Sequence, residues 1–173
     1  MKFEINVYII LVFLVPGTIL LSAIGYLAID QATLESILQG LVENGFDSVL
    51  ILLTIILTTG TIVDSVRTVI VDSVLKRISN SKLPKDYLSK LDKDNLEVFK
   101  LLTDQSQVYY RLNSNTFVSI FIADILLAIK CFAVPIWINL TLLILTIVFA
   151  IATLGSKEVV NYVMNQFFKS NNK

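Results

Sequence analysis

Four apolar stretches, each long enough to cross a lipid bilayer, constrain this chain more than any other feature. They run from about Asn6 to Ile29, from Ser48 to Val71, from Thr116 to Ala133 and from Pro135 to Leu154. A hydrocarbon core takes roughly 20 helical residues, because lipid offers no partner to an unpaired backbone N–H or C=O. The expected fold is therefore all-α: an up-down bundle of four antiparallel transmembrane helices in one domain. Composition agrees, with 55% of residues hydrophobic and 16% charged and a mean hydropathy of +0.75. That leaves too few polar side chains to cover a soluble domain of this size.

The first stretch follows Met1-Lys2 and is expected to be a retained anchor rather than a cleaved signal peptide. It is about 24 residues long, Glu4 dilutes its positive start, and no Ala-x-Ala site closes it. Orientation follows from Lys and Arg. The loop from Asp30 to Asp47 has none and carries Asp30, Glu35, Glu43 and Asp47. The loop from Lys76 to Asn115 holds eight: Lys76, Arg77, Lys82, Lys85, Lys90, Lys93, Lys100 and Arg111. Lys157, Lys169 and Lys173 lie in the tail, and Lys130 alone falls on the other side. Positive charge stays inside, so both termini and the central loop are expected in the cytoplasm of an inner-membrane protein.

The connecting segments carry helical patterns of their own. Leu34, Ile37, Leu38 and Leu41 predict a short amphipathic helix on the outer leaflet, stopped by Asn44-Gly45. Asp92 to Asn95 is a helix start, and Leu96, Phe99, Leu102 and Tyr109 lead from it towards the third span. Helices two and three are thus expected to project as a cytoplasmic hairpin over residues 76–115. The tail after Gly155 continues as an amphipathic helix, and Pro135 opens the fourth span, where a missing N–H costs nothing.

Several function classes lose support at once. The chain has no histidine, which removes the commonest general base and zinc ligand. Its single cysteine, Cys131, excludes an internal disulfide. Zero net charge gives nucleic-acid binding no electrostatic basis. Gly40 and Gly45 have P-loop spacing, but Phe46-Asp47 stands where Lys-Ser/Thr is required. Asp64 and Asp124 resemble an intramembrane aspartyl dyad only loosely, since Gly60-Thr61-Ile62-Val63 precedes Asp64 rather than Gly-x-Gly. No enzyme, metal or cofactor is expected.

Two polar features remain, both on helix two. Thr54, Thr58, Thr61, Ser65, Thr68 and Asp72 are spaced 4, 3, 4, 3, 4, which confines them to a sector of about 80°. Such a hydroxyl seam either packs helices closely or lines a wet path in an oligomer. Thr18, Ser22 and Gly25 form a shorter seam beside a kink expected at Pro16-Gly17. The second feature is charge in the membrane. A lone ion there costs about 2.5–3.5 kcal/mol on insertion scales, so Asp64, Arg67 and Asp124 are expected to form one cluster joining helices two and three. Its net charge of −1 calls for a protonated carboxyl or a further donor such as Ser119. Asp72, Lys76 and Arg77 on helix two, with Tyr109, Tyr110 and Arg111 on helix three, are expected to form the cytoplasmic rim.

The function expected from these features is a homo-oligomeric pore gated from the cytoplasmic side, an architecture suited to a bacterial stress or phage-defence effector. Its partners are the lipid bilayer and further copies of the chain. The alternative is a non-conducting scaffold that recruits a cytosolic protein through residues 76–115.

Overall fold

The computed structural model describes residues 4–28, 31–43, 45–78, 93–129 and 135–170. Almost every one of these residues is helical, in five helices: α1 (Glu4–Ala28), α2 (Gln31–Glu43), α3 (Phe46–Ile78), α4 (Lys93–Ile129) and α5 (Ile136–Ser170). Four of them are long and apolar enough to span a membrane, over Ile10–Ala28, Phe46–Leu75, Leu96–Ile129 and Ile136–Tyr162. The chain is accordingly a multi-pass membrane protein.

The local reasons are visible at the helix ends. Gly45 adopts a positive φ of 60° between α2 and α3, a conformation glycine reaches without a Cβ clash. Pro135 immediately precedes α5, and its carbonyl accepts from Ile138 N at 2.9 Å. α4 begins at Lys93, as the Asp92-to-Asn95 start predicts, and runs unbroken through the polar Asn113–Thr116 run. α5 likewise passes through Gly155 without a break. Lys130 and Cys131, and the side chains of Lys76 and Arg77 in the last turn of α3, lie outside the described residues.

α4 is the hub. In its most apolar window 44% of residues are buried, against 11% in α3 and 6% in α5. α1 and α5 make the most extensive contacts with it, and α1 packs on α3 almost as closely. One core cluster joins Leu20, Val63 and Val118, from α1, α3 and α4. A second joins Leu75, Tyr110 and Val160, from α3, α4 and α5. Between α1 and α3 the backbones nearly touch. A Cβ added at Gly17 would collide with the Ile56 carbonyl, and one at Gly60 with the Phe13 carbonyl. Without a hydrophobic drive between helices in lipid, small residues of this kind let them associate.

Residues 79–92 of the expected hairpin lie outside the described residues, and the described helices run on beyond the second cluster to different extents. From the level of Leu75, Tyr110 and Val160, α3 continues for about 5 Å, α4 for about 25 Å and α5 for about 15 Å. The long arms are thus α4 and α5. Helical apolar spacing ends in α3 at Ile78, whereas Val159, Val160, Tyr162 and Val163 extend it in α5.

Candidate functional site: a charge network beside an exposed hydroxyl seam

Arg67 is the centre of the network and is only 5% exposed. Its Nε donates to Asp64 Oδ1 at 3.2 Å, one helical turn back. Its Nη1 reaches both oxygens of Asp72, at 3.0 and 2.9 Å, and its Nη2 donates to Thr68 Oγ1 at 3.0 Å. One guanidinium therefore clamps two carboxylates of its own helix, for which its five donors in a rigid planar fork are better arranged than the point charge of an ammonium.

α4 completes the balance. Arg111 Nη2 donates to Asp64 Oδ2 at 2.7 Å, and the Tyr110 hydroxyl donates to Asp72 Oδ1. Two cations lie over the Tyr110 ring, Arg67 Cζ at 5.7 Å and Lys157 Nζ of α5 at 5.1 Å from its centroid. Arg111 Cζ sits 5.5 Å from the Phe13 ring of α1. Two carboxylates face two guanidiniums, so the network needs neither a shared proton nor an extra donor. It ties α3 to α4 and touches α1 and α5.

The expected cluster is corrected at one member. Asp64 and Arg67 meet, but Asp124 is absent from the network and has no ion-pair partner among the described residues. Thirteen residues separate it from Arg111 along α4, a rise of about 20 Å. Asp72 and Arg111, both assigned to the rim, take the place it was expected to fill. Ser119 is not the further donor either; it is fully buried and its Oγ has no partner among the described residues. The expected rim divides by helical phase. Tyr109 is 46% exposed while neighbouring Tyr110 is 6% exposed and turned inward.

The hydroxyl seam has the opposite environment. Thr54, Thr58, Thr61, Ser65 and Thr68 are all exposed, and Asp72 is half-buried at the end of the row. Each hydroxyl donates to a carbonyl of its own helix: Thr54 to Leu50 at 2.8 Å, Thr58 to Thr54 at 2.8 Å, Thr61 to Thr58 at 2.7 Å, Ser65 to Thr61 at 3.0 Å, Thr68 to Asp64 at 2.8 Å. The donors are thus satisfied within α3, and the Thr68 oxygen also accepts from Arg67. This seam is therefore not used to pack the chain's own described helices.

Two further polar contacts escaped the sequence reading. Asn113 Nδ2 donates to Ser156 Oγ at 2.8 Å, linking α4 and α5. Asn115 Nδ2 donates to the Val12 carbonyl at 3.2 Å, linking α4 and α1. The Asn-x-Asn spacing inside an apolar helix was the available signal, since a buried amide in lipid must find a partner. Comparison of the chain with protein-family models, with curated proteins and with solved structures gives no match, so its functional reading rests on these residues.

Proposed function

We propose that the chain is the subunit of a homo-oligomeric membrane pore whose cation path runs along the exposed seam of α3. The observation that carries this reading is the extent of the seam. Continued backwards at the same spacing, the row of Thr54 to Asp72 passes through Ile51 and reaches Asp47. From Asp47 to Asp72 it rises about 38 Å, enough to cross a hydrocarbon core of about 30 Å. It has a carboxylate at each end, five hydroxyls between and no Lys or Arg. Hydroxyl and carboxylate oxygens facing a common axis suit cations and oppose anions. Arg67 pairs with Asp72 and touches Thr68, so the charge at the inner end of the seam is compensated from within the same helix, and Asp47 carries the carboxylate at the other end.

The same reading places the helices in up-down order, with the termini and the basic central loop in the cytoplasm. Its support is the Lys/Arg distribution and the residue pairs. Phe13 meets Gly60 where Gly17 meets Ile56, and Val63 meets Val118 where Leu75 meets Tyr110. Both series run in opposite directions along the paired helices. The Asp64–Arg67–Asp72–Arg111 network then sits towards the cytoplasmic end of the path, where movement of the α4 and α5 arms would act on it. Potassium efflux from proteoliposomes tests the proposal. Wild-type protein is expected to empty them, and the double substitution Thr61→Leu, Ser65→Leu to slow efflux about tenfold with helicity retained. Tight vesicles at high protein density would refute the pore.

A second reading, a non-conducting scaffold, is favoured by one specific observation: the seam hydroxyls are already satisfied by their own backbone, so the face tolerates lipid. In that case the α4 and α5 arms would dock a cytosolic partner, and no flux would appear at any density.

A further inference from the structure

α1 carries a proline in its middle, and the consequence falls four residues earlier. Pro16 has no N–H, so the Val12 carbonyl loses the intrahelical donor it would otherwise have. Water does not replace it, because Val12 is 2% exposed and Pro16 is among the most deeply buried side chains. The donor comes from another helix, through Asn115 Nδ2 at 3.2 Å. Asn115 is fully buried, and its Oδ1 has no partner among the described residues. Such an amide is held in place for what it donates, since its acceptor is left unpaired.

The neighbours of this contact connect it to the charge network. Phe13, next to Val12, lies beside the Arg111 guanidinium, and Arg111 in turn holds Asp64. On the other side of the joint, Gly17 presses against the Ile56 carbonyl of α3. The helix is thus weakest internally at the point where three helices converge.

We propose that Pro16-Gly17 is a hinge in α1, that residues 4–15 form an arm closing beside the Asp64–Arg111 pair, and that Asn115 is the latch holding the arm shut. Asn115 acts through the Val12 carbonyl and is a positioning residue. Releasing the arm leaves that carbonyl unpaired in an apolar surround and withdraws Phe13 from Arg111. The arm and the network therefore open and close together. The device is independent of whether the seam conducts.

Amide hydrogen exchange on the full-length protein in micelles tests it. Asn115→Ala is expected to speed exchange in residues 4–15 about tenfold, with little change in α5. In the Pro16→Ala background the restored N–H of residue 16 serves Val12, so Asn115→Ala should speed exchange there by less than about threefold. Equal acceleration in both backgrounds, no acceleration in either, or a uniform increase across all helices overturns the latch. Should Asn115→Ala fail to fold alone, recovery of folded protein in the double variant supports it, and failure of both variants overturns it.

Discussion

α3 carries two polar faces that solve the same problem in opposite ways. On the face turned to α1 and α4, Arg67 holds Asp64 and Asp72 of its own helix, and Arg111 and Tyr110 of α4 donate to Asp64 and Asp72 in turn. On the outer face, Thr54 through Thr68 each turn back to a carbonyl of α3 itself. A hydroxyl can be satisfied locally, because one donor meets a carbonyl a turn away. A buried charge cannot, because its several donors or acceptors must all be met before desolvation is offset. The charged face therefore commits α3 to a particular neighbour, while the hydroxyl face leaves it free to meet lipid, water or another subunit.

The contrast is broken most severely by removing its central cation. Arg67→Ala leaves Asp64 with Arg111 alone and Asp72 with Tyr110 alone and is expected to cost about 3–5 kcal/mol of stability, read as a shift in denaturant unfolding in micelles. Adding Asp72→Asn should recover part of that loss, because one uncompensated carboxylate disappears; strictly additive losses would show that the two do not interact. A smaller effect is expected for Thr58→Val, which removes a self-satisfied hydroxyl from an exposed face. Stability should stay within about 0.5 kcal/mol while self-association weakens, as followed by cross-linking in membranes. Asp124→Asn should have the smallest effect on the network. It should leave the Arg67–Asp72 coupling unchanged in the same cycle, and a change in that coupling would bring Asp124 back into the cluster.

Much of the architecture was legible in the residues. Apolar runs of the right length mark the spans, Asn44-Gly45 marks the turn into α3, and the stripe from Leu96 marks the start of α4. These are properties of one segment at a time. The choice of charge partners is not. Periodicity shows that Asp64 and Arg67 share a side of α3, but the rotation and depth of α4 against α3 depend on packing. That packing includes the close approach at Gly17 and Gly60 and the cluster of Leu75, Tyr110 and Val160. A depth estimated from the expected helix end brought Asp124 level with Arg67. The observed pairing brings Arg111 there instead, and an expected rim residue becomes a member of the network. The apolar pattern of the tail likewise showed that α5 continues past Gly155, while residues 79–92 of the expected hairpin lie outside the described residues.

The central claim is that the Asp47–Asp72 face of α3 lines a conducting path, and cysteine accessibility during flux tests it most directly. In a Cys131→Ser background, potassium efflux from proteoliposomes carrying Ser65→Cys would be followed before and after a water-soluble thiol reagent. Ile62→Cys, at a position that is 57% exposed but off the seam, serves as the control. The account predicts block at Ser65→Cys and continued efflux at Ile62→Cys. Equal block at both positions, or efflux indifferent to modification at Ser65→Cys, would contradict it.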